Sequence, residues 1–128
     1  MDDVQHKHLI IRTEVKNPPT DPEFIKGWLR ELVSEIGMKL LDIEHNPISG
    51  YVTKEGNEGL TAVCIIETSH IAMHVWDSLE PALMQVDVYT CSTLDPKIVF
   101  DKLDDFDVVT ARYLLLDREH VLEQLELS

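Results

Sequence analysis

The sequence predicts an α+β domain, in which helices cover one face of a mainly antiparallel sheet as a two-layer sandwich. Strand-like runs dominate the middle of the chain, two segments have helical periodicity, and the two types do not alternate as βαβ units. The predicted order is β-α-β-β-β-β-α-β within a single domain of residues 1–128. Because the second face of such a sheet needs shielding from water, we expect a homodimer.

The first predicted elements are a strand, a helix and a second strand. Residues 6–15 have a β-rich apolar centre and predict the first strand. A helix is predicted from Pro22, behind an Asp21 cap, to a stop at Gly37. Its apolar residues form one helical stripe: Phe24, Ile25, Trp28, Leu29, Leu32, Val33 and Ile36. Residues 38–45 predict the second strand.

The central part of the chain predicts a loop followed by strands. Residues 46–59 are rich in turn formers and predict a long loop or an irregular hairpin. A strand is expected over 60–68, and residues 69–76 continue it or pair with it. Residues 77–84 are predicted as a connection, and 85–91 as a strand with a period of two.

The last third predicts a second helix, a strand and a helical tail. Asp95 is the predicted cap of a helix over 94–106, with Pro96 in its first turn. Residues 108–119 predict a strand, and the tail 118–128 a short helix.

Charge and composition exclude several classes of function. The formal net charge of −13 disfavours nucleic acid and anionic membrane surfaces as partners and favours a small cationic substrate. No apolar run approaches the roughly 20 residues of a membrane span, and the N-terminus does not read as a secretory signal. We therefore expect a cytosolic protein whose Cys64 and Cys91 are thiols. The spacing of its histidines and cysteines matches no common ligand pattern, so no metal is predicted.

Three polar residues lie unexpectedly in the strand predicted over 69–76. Side chains alternate along a strand, so Ser69 points to one side while His70 and His74 share the other. Position alone favours hydrogen-bonded structural histidines. Cys91 alone is more often a small core residue than a catalyst.

The run GLTAVCIIETSHIAMHVW, followed by VDVYTC, resembles the core of the prokaryotic S-adenosylmethionine decarboxylase family over residues 59–91. The resemblance implies a self-processing proenzyme with a pyruvoyl cofactor. The Ser69 hydroxyl would attack the carbonyl of Thr68 to form an ester, and elimination would split the chain into subunits 1–68 and 69–128. Ser69 would become the pyruvoyl group, whose ketone holds the substrate amine as a Schiff base.

The same resemblance implies roles for three more residues. His74 would remove the Cα proton of Ser69, and Thr61 would stabilise the oxyanion formed during the attack. Cys91 would return a proton to the decarboxylated carbon. His70 receives no firm role and is expected either to orient the site or to be structural.

This sequence departs from the family pattern at two places. Threonine stands at 68, where the family usually has glutamate, and Glu67 comes one residue earlier. After Trp76 the chain continues with Asp77 and Ser78 in place of proline and glutamate. The resemblance implies that Glu67, His70 and Trp76 belong to the substrate-binding set. Asp77 or Glu80 would bind the ribose, and Tyr51 would stack on adenine.

The preferred substrate is S-adenosylmethionine, whose decarboxylation supplies aminopropyl groups for spermidine biosynthesis. Two alternatives remain open. One is a pyruvoyl-dependent decarboxylase of ornithine or arginine. The other is an uncleaved, non-catalytic homologue that binds a ligand or a partner.

Overall fold

One antiparallel sheet of seven strands organises the computed structural model, which describes residues 5–126. The sheet order is β2-β3-β4-β5-β1-β6-β7, and every pairing is antiparallel. The predicted α+β class is therefore confirmed. The elements, in chain order, are β1 Lys7–Val15, α1 Pro22–Glu35, β2 Ile48–Val52, β3 Gly59–Ile66, β4 Ser69–Trp76, β5 Ala82–Thr90, α2 Pro96–Leu103, a 3₁₀ turn Asp104–Phe106, β6 Val108–Asp117 and β7 Glu123–Leu125.

Helices α1 and α2 cover one face of the sheet. Every second residue of β4 is buried beneath them, from Ser69 to Val75. Both helices begin as predicted, with the carboxylates of Asp21 and Asp95 accepting hydrogen bonds from backbone amides of the first turn. This alternation confirms that Ser69 and His74 lie on opposite faces of the sheet.

In the first half, one predicted strand is absent and one predicted loop proves to be a hairpin. Residues 38–45 form no strand and contribute one isolated bridge, between Leu40 and Ile66. The side chain of Asn46 ties this segment to β3 through hydrogen bonds with the carbonyls of Leu41 and Ile65. Residues 46–59 form the hairpin rather than the long loop, because β2 at the edge of the sheet pairs with the start of β3. That pairing outweighs the weak strand preference of its residues.

Two further boundaries needed correction in the second half. Strand β5 begins at Ala82, inside the predicted connection 77–84, where it already pairs with Val15 of β1. The tail forms strand β7 against β6 in place of the predicted helix. Leu125 packs against the core, and this contact stabilises the extended conformation. Residues 127–128, also within the predicted helix, lie outside the described residues.

The uncovered face of the sheet is partly apolar. Ile10, Ile65 and Leu114 are each at least one-third exposed on it. A cavity of about 480 Å³ opens there, and its lining includes Arg12, Ala72, His74, Gln85, Arg112 and Leu114. None of the helices within residues 5–126 is both long and apolar enough to cross a membrane.

Gly59 marks a close approach of two strands. It has φ of 153°, and a Cβ placed there would lie 1.7 Å from the carbonyl oxygen of Val75. We expect Gly59→Ala to lower the free energy of unfolding by at least about 3 kcal/mol, because the clash is with backbone. Urea denaturation measures this loss. The control is Gly27→Ala in α1, where a Cβ meets nothing within 4 Å, and which should not destabilise the protein.

Candidate active site

A tight turn at Glu67 and Thr68 joins β3 to β4. Both residues are exposed, and Thr68 has φ of 57°. A β-branched residue in this left-handed region is strained, at a cost of about 1–3 kcal/mol. The backbone strain therefore lies immediately before the peptide bond whose cleavage the sequence predicts.

Ser69 is held in place at the start of β4. Its side chain is buried, and its Oγ accepts a hydrogen bond of 2.9 Å from the backbone N–H of Cys91. Because Oγ accepts in this contact, its own proton remains available to a base. The hydroxyl is therefore held by a backbone donor, one residue after the strained Thr68.

The thiol of Cys91 lies at the same turn. The Thr68 hydroxyl is 2.8 Å from Cys91 Sγ and 2.7 Å from the carbonyl oxygen of Glu67, so it can donate to either. The thiol is also 3.6 Å from that carbonyl oxygen. Ser69, Thr68, Glu67 and Cys91 thus form one cluster, at the place where the family resemblance implies that a thiol acts.

The two cysteines have different environments. Cys64 is buried on the helix side of β3, and burial raises the pKa of its thiol to about 11. Cys91 is partly exposed. We expect iodoacetamide near neutral pH to label the native chain at Cys91 alone and the urea-unfolded chain at both cysteines. Peptide mapping identifies the sites; equal labelling of Cys64 in the native chain would contradict this burial.

His74 and Thr61 form a second cluster. They are paired across β3 and β4, and Thr61 Oγ1 lies 3.2 Å from His74 Nδ1. His74 is five residues along β4 from Ser69, about 17 Å at 3.4 Å per residue, and on the other face. One protomer therefore does not bring His74 or Thr61 to the Ser69 hydroxyl, although the family resemblance implies that both residues act there.

His70 lies on the open face beside the cleavage turn. Its Nε2 is 3.1 Å from Asp87 Oδ1, and Nε2 of His8 is 3.2 Å from the same oxygen. The ring of Tyr89 contacts both imidazoles. Asp87 therefore orients the imidazole of His70, a contact that the sequence did not predict.

A third cluster, far along β4 from Ser69, contains most of the predicted recognition residues. Tyr51 donates a 2.7 Å hydrogen bond to Asp77, which raises the pKa of Tyr51. Trp76 donates its indole N–H to Asn57 at 2.7 Å. Glu80 lines a neighbouring cavity with Asp77. Glu67 is separate from this set, because it belongs to the cleavage turn.

The sequence analysis did not single out His8, Asp87, Tyr89, Asn57 or Glu58. Glu58 has a buried carboxylate oxygen without a hydrogen-bond partner in the described part of the chain. Asp87 could have been noticed in the sequence, since it is a charged residue within the strand predicted over 85–91. The partners of that charge depend on the register of three strands, which the sequence pattern does not define.

Comparison with known proteins identifies the family. The sequence profile described as S-adenosylmethionine decarboxylase matches residues 7–118. The chain belongs to the S-adenosylmethionine decarboxylase family. The family consists of self-processing, pyruvoyl-dependent proenzymes, so the predicted family and cofactor are confirmed. The cluster at Ser69 fits that cofactor, because it supplies an internal serine behind a strained peptide.

The curated relatives of this chain are named for two different substrates. The arginine decarboxylase proenzyme of Ignicoccus hospitalis is 31% identical over 94 residues, 70% of this chain and 60% of that protein. The S-adenosylmethionine decarboxylase proenzymes of Pyrobaculum islandicum and Pyrobaculum arsenaticum are 48% and 46% identical over 46 residues, 35% of either sequence. The chain thus spans less than two-thirds of the length of these relatives.

A solved structure matches the whole fold. The adenosylmethionine decarboxylase from Aquifex aeolicus superposes with a TM-score of 0.67, covering 98% of this chain and 100% of that one. Its sequence identity is 20%, so this similarity supports the fold rather than the substrate.

Proposed function

We propose that this protein is a pyruvoyl-dependent decarboxylase of S-adenosylmethionine that makes its cofactor from Ser69. The observation that carries the proposal is the 2.9 Å hydrogen bond from the Cys91 amide to Ser69 Oγ, at a turn where Thr68 is strained. The product would supply aminopropyl groups for spermidine biosynthesis. Cleavage would separate residues 1–68 from 69–128.

Formation of the cofactor needs only residues of the protein and one water molecule. Ser69 Oγ attacks the carbonyl carbon of Thr68, and the C–N bond breaks to give an ester and a free amine at Ser69. Loss of the Ser69 Cα proton then expels the carboxylate of Thr68 and leaves dehydroalanine, which water converts to pyruvoyl with loss of ammonia. Scission releases the left-handed strain at Thr68, which favours the forward direction.

The uncovered sheet face supports a homodimer that completes the site. Two protomers can stack with their open sheet faces together, related by a twofold axis that runs perpendicular to β4. The Ser69 end of β4 in one protomer then lies opposite the His74 end of β4 in its partner. His74 and Thr61 of the partner subunit then act as the base and the oxyanion donor. This arrangement also covers the exposed Ile10, Ile65 and Leu114.

A pyruvoyl group made from Ser69 would supply the electron sink that decarboxylation needs. Cys91 holds a proton on Sγ at the same turn, and gives it to the product carbon. Its short contact with the Thr68 hydroxyl fixes the thiol where the new subunit begins. The thiol is therefore placed for this transfer before cleavage occurs.

A cationic substrate suits the Tyr51–Asp77 cluster. Asp77 and Glu58 bring negative charge to one end of the open face, and Trp76 adds an aromatic ring. Sulfonium and guanidinium groups are both attracted by such a set. Arginine is the second candidate, favoured by the relative from Ignicoccus hospitalis.

Release of labelled carbon dioxide tests the substrate. Processed protein is incubated separately with carboxyl-labelled S-adenosylmethionine, arginine and ornithine. We expect the adenosyl compound to be turned over at least about tenfold faster, as kcat/KM, than either amino acid. A preference for arginine would contradict S-adenosylmethionine as the substrate and support arginine instead. Absence of carbon dioxide release from all three compounds would favour a non-catalytic binding protein.

A further inference from the structure

Three side chains from three neighbouring strands meet on the open face, next to the cleavage turn. They are His8 of β1, His70 of β4 and Asp87 of β5. Their nearest ligand atoms, two imidazole nitrogens and one carboxylate oxygen, all lie within 4.8 Å of one another. Because the strands are paired on both sides of β5, the sheet itself holds the three groups together.

We propose that His8, His70 and Asp87 bind a divalent transition-metal ion of the zinc type. The two nitrogens are 3.2 and 3.1 Å from Asp87 Oδ1. Ligands of tetrahedral zinc at 2.0–2.2 Å are about 3.3 Å apart, so each nitrogen already lies at ligand spacing from the carboxylate oxygen. The two nitrogens lie within 4.8 Å of each other. Two imidazoles and a carboxylate also form a donor set that zinc, nickel and cobalt prefer.

The surroundings leave one coordination position open. His8 is mostly buried, whereas His70 and Asp87 are 43% and 36% exposed. Water can therefore complete four ligands in a single protomer. The strong negative charge of the chain, −13, favours cation binding in general.

One residue opposes the metal. Arg118 Nη1 donates to His8 Nδ1 at 3.1 Å, which keeps the ring proton of His8 on Nε2, where it points at Asp87. Coordination through Nε2 requires that proton to move to Nδ1, and Arg118 must then turn away. Arg118 is exposed and stacks over Tyr89, so it can leave at moderate cost. Arg118 should therefore weaken the site without forming part of it.

The test is a calorimetric titration of the purified protein, with both parts of the chain present, with Zn²⁺ alone. Co²⁺ is added in a parallel experiment, since tetrahedral cobalt gives intense visible d–d bands. We expect one ion per chain, and at least a tenfold loss of affinity in both Asp87→Asn and His8→Gln. Arg118→Ala should bind more tightly than the wild type. His45→Ala and Arg30→Ala remove an exposed histidine and an exposed arginine elsewhere and should change nothing.

Absence of a one-to-one isotherm, or equal affinity in Asp87→Asn and His8→Gln, would overturn the site. Equal affinity of Arg118→Ala and Arg30→Ala would overturn the role given to Arg118. Thermal melts confirm that each variant is folded. The two substituted ligands lie on separate strands, so one unstable variant leaves the other. The Ser69→Ala chain should bind as the wild type does, which separates this inference from the proposed function.

Discussion

A His74→Ala chain should remain uncleaved alone and become cleaved when mixed with a Ser69→Ala chain. His74 lies about 17 Å along the strand from Ser69, so the serine of its own chain is beyond reach. In a mixed dimer, the Ser69→Ala subunit supplies an intact His74 to the intact Ser69 of its partner. Each chain alone lacks one of the two groups.

Co-expression with tags of different mass makes this measurable. Denaturing mass spectrometry should detect fragments of the His74→Ala chain in the mixture and only full-length species in each single expression. A chain carrying both substitutions is the matched control, because it still dimerises but supplies no His74. Persistence of full-length His74→Ala chain in the mixture would contradict catalysis across the interface.

Cys91→Ala should still cleave itself but lose turnover by at least about 10²-fold, the usual contribution of a general acid. Cleavage survives because the contact to Ser69 Oγ comes from the backbone amide of residue 91, which alanine retains. Turnover fails because the product carbon has lost its proton donor. Intact mass reports the first property, and carbon dioxide release or product formation per active site reports the second.

Cys64→Ala provides the matched control for this experiment. Cys64 is buried on the helix side of β3, away from Ser69, so its loss should lower stability slightly and leave turnover near the wild-type value. Wild-type turnover by Cys91→Ala would remove the acid role. Failure of Cys91→Ala to cleave would mean that the thiol itself is needed for processing.

Much of the fold was predictable because its signals are local. The cap at Asp21 with Pro22 behind it, and the period of two along β4, each report on a few neighbouring residues. The segments that were mispredicted depend on distant partners. Strand β2 exists because β3 lies beside it, and the tail is extended because β6 offers a free edge.

The site shows the same division. Ser69 and Cys91 could be singled out from motif resemblance, and the structure brings them together at one turn. The separation of His74 from Ser69 follows from strand length and alternation, both readable in the sequence. The cluster around Asp87 was not predictable, because it depends on the register of β1, β4 and β5.

Denaturing mass spectrometry of freshly purified protein tests the central claim most directly. The account predicts two species that meet at the Thr68–Ser69 bond, with a pyruvoyl group in place of Ser69 on the second, and a single uncleaved 14.7 kDa chain for Ser69→Ala. An intact chain with an ordinary serine at position 69, in a preparation that releases carbon dioxide from substrate, would contradict it.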